Sequence, residues 1–454
     1  MNFDNLKDKR VVVMGLGLYK QGSGGMAAQF FARRGARVLV TDLRSAKALA
    51  PALKRLKKFE NIEYILGKHR ARDFQNADLV FQNPSVPADS PYLKIAKKAG
   101  IPIVNDWSIF LSLYSPKVFV GVTGTRGKST TTALIFEMLK RKHKKIILAG
   151  NLGVSPLSFI DSYHGEPIVA ELSSWLLHHF FAVKKSPGVA VVTNIFNDHM
   201  DKYRDRGGYI ADKENIFRFQ KKGDTVVLNW DNSTTRGMAK KALGRVMRFS
   251  LKKHWPKWVP LKQVKLLGEH NLANALAAAG AGEAAGVSRR DIISVLKTFK
   301  GLPNRLELAR KARGVRYYND TTATTPEATI AALAALAPLK CKMQKSKCKI
   351  IVLIAGGADK KLNYQELAQY IKRYCKAVVL LPGTATEKLK LEIGNWKLEI
   401  KEAVSMHEAI RLTKDIATKG DIILLSPAAA SFGLFKNEFD RGAQFVREVK
   451  RLDS

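Results

Sequence analysis

Cysteine is scarce in this chain: Cys341, Cys348 and Cys375 are the only three, and their spacing is unpaired. That argues against a disulfide framework or a zinc knuckle and fits a reducing compartment. Long apolar runs are also lacking, and no stretch reaches the roughly 18 residues that a membrane span requires. The start, MNFDNLKDKRVVVMGLGLYK, has no signal-type cleavage region, since a glycine loop follows its apolar run. A cytoplasmic location is expected. Acidic residues are the third shortage: 39 Asp and Glu face 77 Lys and Arg, a formal charge of +38. Such a balance ordinarily points to a polyanion. Here the basic residues are spread through pieces such as KALAPALKRLKKF, KRKHKK and KCKMQKSKCK, without an RNA-binding signature or an aromatic-interleaved basic stripe. They read as solvated faces that help to steer anionic substrates, and no nucleic-acid partner is expected.

What is present is length and alternation. With 454 residues, 46% of them hydrophobic, the chain can bury several cores. Strands alternate with helices in three successive segments, the signature of α/β domains with parallel sheets. The first segment opens with a strand at Arg10–Met14, the loop GLGLYKQGSGG and a helix from AAQFFARRG; ARVLVTD, ADLVFQN and IPIVND follow as strands. It is expected to end near Ser115 and Pro116. The second contains KVFVGVTG, PIVAELSS, GVAVVTNI and DTVVLNW as strands, then the Ala-rich helix HNLANALAAAGAGEAAG, and closes at a hinge around Gly301–Pro303. The third carries VRYYND, KIIVLIAGG, AVVLLPG and DIILLSPAA, with KCKMQKSKCK as a basic surface loop. The expected domains are therefore 1–115, 116–302 and 303–454. The fold class is α/β throughout: a Rossmann-like parallel sheet, a central domain like those of P-loop ATPases, and a second Rossmann-like domain.

The sharpest motif is TGTRGKS, residues 123–129, set between a strand and a helix. Glycines there let backbone N–H groups turn inward, and the helix N-terminus adds partial positive charge, which together cradle phosphate. Lys128 would reach the β- and γ-phosphates and Ser129 would bind Mg²⁺. The strict pattern G-x-x-x-x-G-K-[ST] wants glycine where Val122 stands, so the loop is a variant. By contrast, Gly15-Leu16-Gly17 does not complete a dinucleotide fingerprint, which disfavours hydride transfer; a nucleotide diphosphate or a plain turn fits equally well there. Two polar clusters follow at later strand ends, where ligand clefts of open sheets form. Glu171 offers a hard carboxylate for a divalent cation. His199, in TNIFNDHMD, offers a nitrogen that Asp198 or Asp201 would orient. The neighbouring His178 and His179 lack that setting and read as surface or packing residues.

These residues closely resemble the Mur ligase family along essentially the whole chain. GVTGTRGKSTT is similar to the family's ATP loop, including its departure from the strict pattern, and ELSSWLL, TNIFNDHMDKY, GEHNLANALAA, GLPNRLEL, NDTTATTPEAT, IAGGADK and LSPAAASFGLFKNEFDRGAQF follow in the family's order. The last two, with GLG and NPSVP near the start, resemble the D-glutamate-adding branch more than its siblings. The resemblance implies a monomeric ATP- and Mg²⁺-dependent ligase of peptidoglycan precursor synthesis. It would join D-glutamate to UDP-N-acetylmuramoyl-L-alanine through an acyl phosphate.

Site roles follow from the same resemblance. Gly124, Thr125, Gly127, Lys128 and Ser129 would hold the ATP phosphates and Mg²⁺. Asn151 would contact the reacting carboxylate or phosphate. Glu171 and His199 would bind metal. Lys213 matches a lysine that family members carbamylate into a metal-binding group, a reaction that needs a neutral amine. Asn274, Arg305 and Asp320 would hold adenine, phosphate and ribose, while Lys360, Ser431 and Phe432 would surround D-glutamate. Three departures stand out: Thr322 where many relatives carry lysine, Glu438 where an aromatic is common with Phe439 next to it, and a long loop over residues 19–25. Alternative readings are a sibling ligase or a folylpolyglutamate-synthase-like ligase with another amino acid and, more remotely, a nucleic-acid-stimulated ATPase.

Overall fold

The computed structural model describes residue 3 and residues 6–150, 154–196, 203, 205–337, 350–394, 398–431 and 433–452. Asn151, His199, Phe432 and the KCKMQKSKCK segment lie outside the described residues. Three α/β domains follow one another, each built on its own sheet. The first contains β1 (Arg10–Met14), β2 (Arg37–Asp42), β3 (Ile62–Leu66), β4 (Leu79–Gln82) and β5 (Ile103–Val104), all parallel, in the order β3-β2-β1-β4-β5. The second contains β6 (Phe119–Thr123), β7 (Ile147–Gly150), β8 (Ile168–Glu171), β9 (Val189–Val192), β10 (Thr225–Asn229) and β11 (Arg245–Phe249). Their order is β11-β10-β9-β6-β8-β7, again parallel.

The third sheet has the order β12-β13-β17-β14-β15-β16, from β12 (Glu307–Ala312), β13 (Val315–Asn319), β14 (Ile351–Gly356), β15 (Cys375–Leu381), β16 (Glu399–Glu402) and β17 (Ile422–Leu425). Its β12 runs antiparallel to β13, an edge the alternation of strands and helices does not announce. Arg313 and Gly314 join the two with φ of 49° and 78°, the paired positive values of a tight hairpin turn.

Sequence and burial agree at the sheet centres. Every residue of β6, β8, β14 and β17 is buried, as expected of parallel strands covered on both faces. The chain forms two compact units, residues 1–262 with 273–296, and residues 263–272 with 297–454. The first unit holds two sheets that share one apolar core. Trp107, just after β5, stacks on Phe119 at the start of β6, with centroids 5.3 Å apart and planes 8° from parallel. Beside this stack the buried Asp106 accepts from Ser23 Oγ at 2.6 Å, and Ser155 N donates to the Gln21 carbonyl. Burial pushes the Asp106 carboxyl upward, against its hydrogen bonds to Ser23, Ser155 and the Trp107 N–H.

Candidate active site

The phosphate loop lies where strand order and chain direction place a cleft, at the carboxyl end of β6. The helix Lys128–Leu139 starts directly after it, with Gly127 at its N-cap in a left-handed conformation, φ 83°. A side chain at Gly127 would collide with Asn274 Oδ1, so the loop and the helix Glu269–Ala284 meet at this glycine. Asn274 is thus brought to the loop. The loop is braced from β9: Thr125 N donates to Asn194 O at 2.8 Å, Arg126 N to Asn194 Oδ1 at 2.8 Å, and Thr193 Oγ1 to Arg126 O at 2.6 Å. Thr125 Oγ1 also meets Tyr209 OH at 3.0 Å. Thr193, Asn194 and Tyr209 were not singled out by sequence reasoning; the polar TN pair directly after an apolar strand was the available signal.

Two ammonium groups converge on the loop. Lys128 Nζ donates to the carbonyls of Gly124 and Thr125, both at 3.0 Å. Lys213 Nζ, on the helix Arg206–Glu214, donates to the same Gly124 carbonyl at 3.1 Å and lies 4.7 Å from the Tyr209 ring centroid. Lys213 is 2% exposed, which removes it from the solvated lysines of this basic chain.

Glu171 ends β8, opposite Val122 on one side and Gly150 on the other. It is 4% exposed, and its Oε2 has no hydrogen-bond partner among the described residues. A buried carboxylate oxygen left unpaired is costly unless a ligand completes it. Such an oxygen beside the Ser129 loop fits a hard divalent cation. His178 and His179 take other work: His178 Nδ1 pairs with Asp212 at 2.9 Å, and the buried His179 Nε2 meets Gln82 at 3.1 Å.

In the first sheet the strand order reverses between β1 and β4, the place where open α/β sheets bind ligands. Asn83 Nδ2 donates to Gly15 O at 3.0 Å, and Asp42 Oδ2 accepts from Leu16 N at 2.9 Å. Burial raises the Asp42 carboxyl, but its hydrogen bonds to the Arg44 side chain and to the Arg44 and Leu16 N–H groups outweigh that and hold it below the usual range. GLG and NPSVP therefore meet at the carboxyl end of this sheet.

In the other compact unit, four segments meet at the carboxyl ends of β13, β17 and β14. Asp320 follows β13 and is buried; its Oδ2 accepts from Ser426 Oγ at 2.9 Å and its Oδ1 from Leu306 N at 3.1 Å. Burial pushes its carboxyl up to about 7, although Ser426, Leu306 N–H and the Arg305 charge pull the other way. Lys360 Nζ donates to Thr324 Oγ1 at 2.9 Å. Ala358 and Ala430 exchange backbone hydrogen bonds, both 3.0 Å, which ties the Lys360 loop to the strand end bearing the buried Ser431. Thr324 was missed by sequence reasoning because threonines fill the whole run NDTTATT. Thr322 binds the Asn304 carbonyl through its hydroxyl at 2.9 Å, and Phe439 is half exposed.

Comparison with known proteins agrees with this arrangement. Three family models match in succession: "Mur ligase MurD-like, N-terminal domain" over residues 9–105, "Mur ligase middle domain" over 122–264 and "Mur ligase, glutamate ligase domain" over 304–429. A UDP-N-acetylmuramoylalanine--D-glutamate ligase of Roseiflexus sp. (strain RS-1) is 40% identical, covering 98% of this chain and 99% of that protein. The chain belongs to the Mur ligase family. A Mur ligase of the same description from Borreliella burgdorferi (strain ZS7) is 35% identical over the full length of both chains. Among solved Mur ligase structures, MurC from Thermotoga maritima superposes with a TM-score of 0.62 at 20% identity, covering 97% of this chain and 99% of that one. MurF from the same organism, in complex with ADP, gives 0.57 at 17% identity, covering 99% and 97%.

Proposed function

We propose that this Mur ligase joins D-glutamate to UDP-N-acetylmuramoyl-L-alanine with ATP, in the cytoplasm, as a step of peptidoglycan precursor synthesis. The observation that carries the reading is the 40% identity, along 98% of the chain, to a ligase of that description. Residues 1–115 would take the UDP part, 116–302 the ATP and 303–454 the amino acid.

The alanyl carboxylate would attack the γ-phosphorus of ATP, breaking the bond to the β–γ bridging oxygen and releasing ADP. The D-glutamate amine would then attack the acyl phosphate carbonyl, lose a proton, and expel phosphate. The first step brings two anions together, so it depends on charge neutralisation more than on covalent chemistry. Lys128 would turn from its own loop carbonyls to the phosphates, and the N–H groups at Gly127–Ser129 would bind them. A magnesium ion held by Ser129 and Glu171, with His199, would supply further screening of phosphate charge. Addition of carbon dioxide to the neutral Lys213 amine, with loss of a proton, would replace an ammonium that shares the Gly124 carbonyl with Lys128 by an anionic carbamate and add an oxygen for metal. Asn151 would contact the reacting carboxylate or phosphate, Asn274 the adenine, Arg305 a phosphate, Asp320 the ribose, and Lys360, Ser431 and Phe432 the D-glutamate.

The test is ADP and phosphate release from UDP-N-acetylmuramoyl-L-alanine with a panel of D-glutamate, L-glutamate, L-alanine and a diamino acid. D-glutamate alone should give turnover, and Lys128→Ala should abolish it. Turnover with another amino acid would reassign the enzyme to a sibling specificity.

A further inference from the structure

Arg441 is the largest charged side chain buried completely, at 0% exposure. It belongs to the helix Glu438–Lys450 and no role has been given to it above. Its guanidinium spends its donors on two chain segments. Nε donates to Thr321 Oγ1 at 3.0 Å and Nη2 to Thr321 O at 2.9 Å, while Nη1 and Nη2 both reach Ala429 O at 3.3 Å. The Thr321 hydroxyl passes the chain on, donating to Glu438 O at 2.8 Å. Every one of these acceptors is a neutral oxygen. Burial pushes the guanidinium down to about 10, so it stays charged at neutral pH. The Glu438 charge favours the cation, but a buried guanidinium whose hydrogen bonds go to neutral oxygens is a poor device for stability, which leaves the question of what it holds.

It holds substrate loops. Thr321 is next to Asp320, and Ala429 is two residues before Ser431. Ala428, next to Ala429, has φ 58°, a left-handed conformation that alanine disfavours, so this turn needs an external tie. The neighbouring Gly442 closes a third side: a Cβ there would collide with Asn304 Oδ1 and come within 2.6 Å of Thr321 Cγ2. Asn304 precedes Arg305 and is bound by Asn319 Nδ2 at 2.9 Å. A planar fork of donors can address two segments at once; a lysine ammonium is a point charge that cannot.

We propose that Arg441 is a positioning residue that fixes the Asp320 loop and the Ala428–Ser431 turn in one geometry, so that the nucleotide site and the amino-acid site of this unit are set together. This deepens the ligase reading and rests on it. The experiment uses the full chain with Arg441→Lys and steady-state kinetics for each substrate in turn. KM should rise about tenfold or more for both ATP and D-glutamate, since small misplacements at a reacting site cost that much. KM for the UDP substrate should stay within about twofold, because that substrate's contacts lie on other residues. A merely structural arginine would lower the melting temperature and the active fraction, hence kcat, and leave all three KM values alone. That pattern, or a rise in only one of the two KM values, overturns the proposal. Should Arg441→Lys not fold, Thr321→Val removes one acceptor of the clamp and should shift the same two KM values together by a smaller factor; unchanged values would be equally fatal. Turnover of the unaltered enzyme with D-glutamate is measured first. If it uses another amino acid, the ligase specificity has failed separately, and the paired shift is read with that amino acid.

Discussion

At the scale of single residues, Asp320 shows how burying a carboxyl costs stability. Its folded-state carboxyl lies near 7 because it is buried, against 3.8 in an ordinary environment. Between those values the folded chain binds a proton that the unfolded chain releases, so folding is favoured most below about pH 4 and weakens as pH climbs toward 7. The span corresponds to a few kcal/mol at most, about 1.4 per unit. Asp320→Asn should remove this term. Its melting temperature should exceed that of the unaltered protein by a margin that grows from pH 5 to pH 8, while KM for ATP rises about tenfold as the proposed ribose contact is lost. Thermal scans across that range check the first part, and a margin independent of pH would refute the burial argument. Glu171 makes a related point: a buried carboxylate oxygen without a hydrogen-bond partner among the described residues, on the strand beside the one that leads into the glycine loop.

At the scale of elements, the phosphate loop depends on backbone shape. Gly127→Ala places a methyl group at φ 83° and drives it into Asn274 Oδ1. The left-handed conformation alone costs alanine about 1–2 kcal/mol, and relief of the collision would open the loop. Calorimetric titration with ADP should show at least a tenfold weaker Kd in a protein that still unfolds cooperatively; unaltered affinity would mean that the loop is not the nucleotide site. This loop was legible in the sequence because strand, glycines, lysine and helix occur together. The central strands were equally legible, since burial on both faces leaves an unbroken apolar run. Of the outer ones, β5 was read but several others were not. β3 (IEYIL), β12 (ELARKA) and β16 (EIKE) mix charge with apolar residues because an edge faces water, and such mixtures do not separate from loops by pattern. The helix after β1 begins at Ser23, ahead of the Ala-rich stretch from which it was read, because Gly24 and Gly25 conceal its first turn. Among the candidate residues, Lys128 and Glu171 stand out by type and spacing and Asn274 by family resemblance, whereas Thr193, Thr324 and Arg441 do not stand out. Their roles come from partners far away in the chain, which spacing does not encode.

At the scale of the whole molecule, the charge of +38 acts on encounter. Both nucleotide substrates of the proposed reaction are anions, and a positive surface raises their association rate in a way that salt screens. Raising ionic strength from about 0.05 to 0.5 M should lower kcat/KM for the UDP substrate severalfold while kcat stays level. A flat kcat/KM would leave the basic residues as a plain solvated coat. Charged side chains have a second consequence, read from where the third sheet ends. Its two outermost ribbons, β12 and β16, carry Arg310 and Lys311 on one rim and Glu399, Lys401 and Glu402 on the other. Unpaired backbone along a rim invites a neighbouring molecule to zip on as another strand, and ionic side chains make that docking unfavourable. Ionic side chains of both signs on these two rims thus help to keep crowded copies apart.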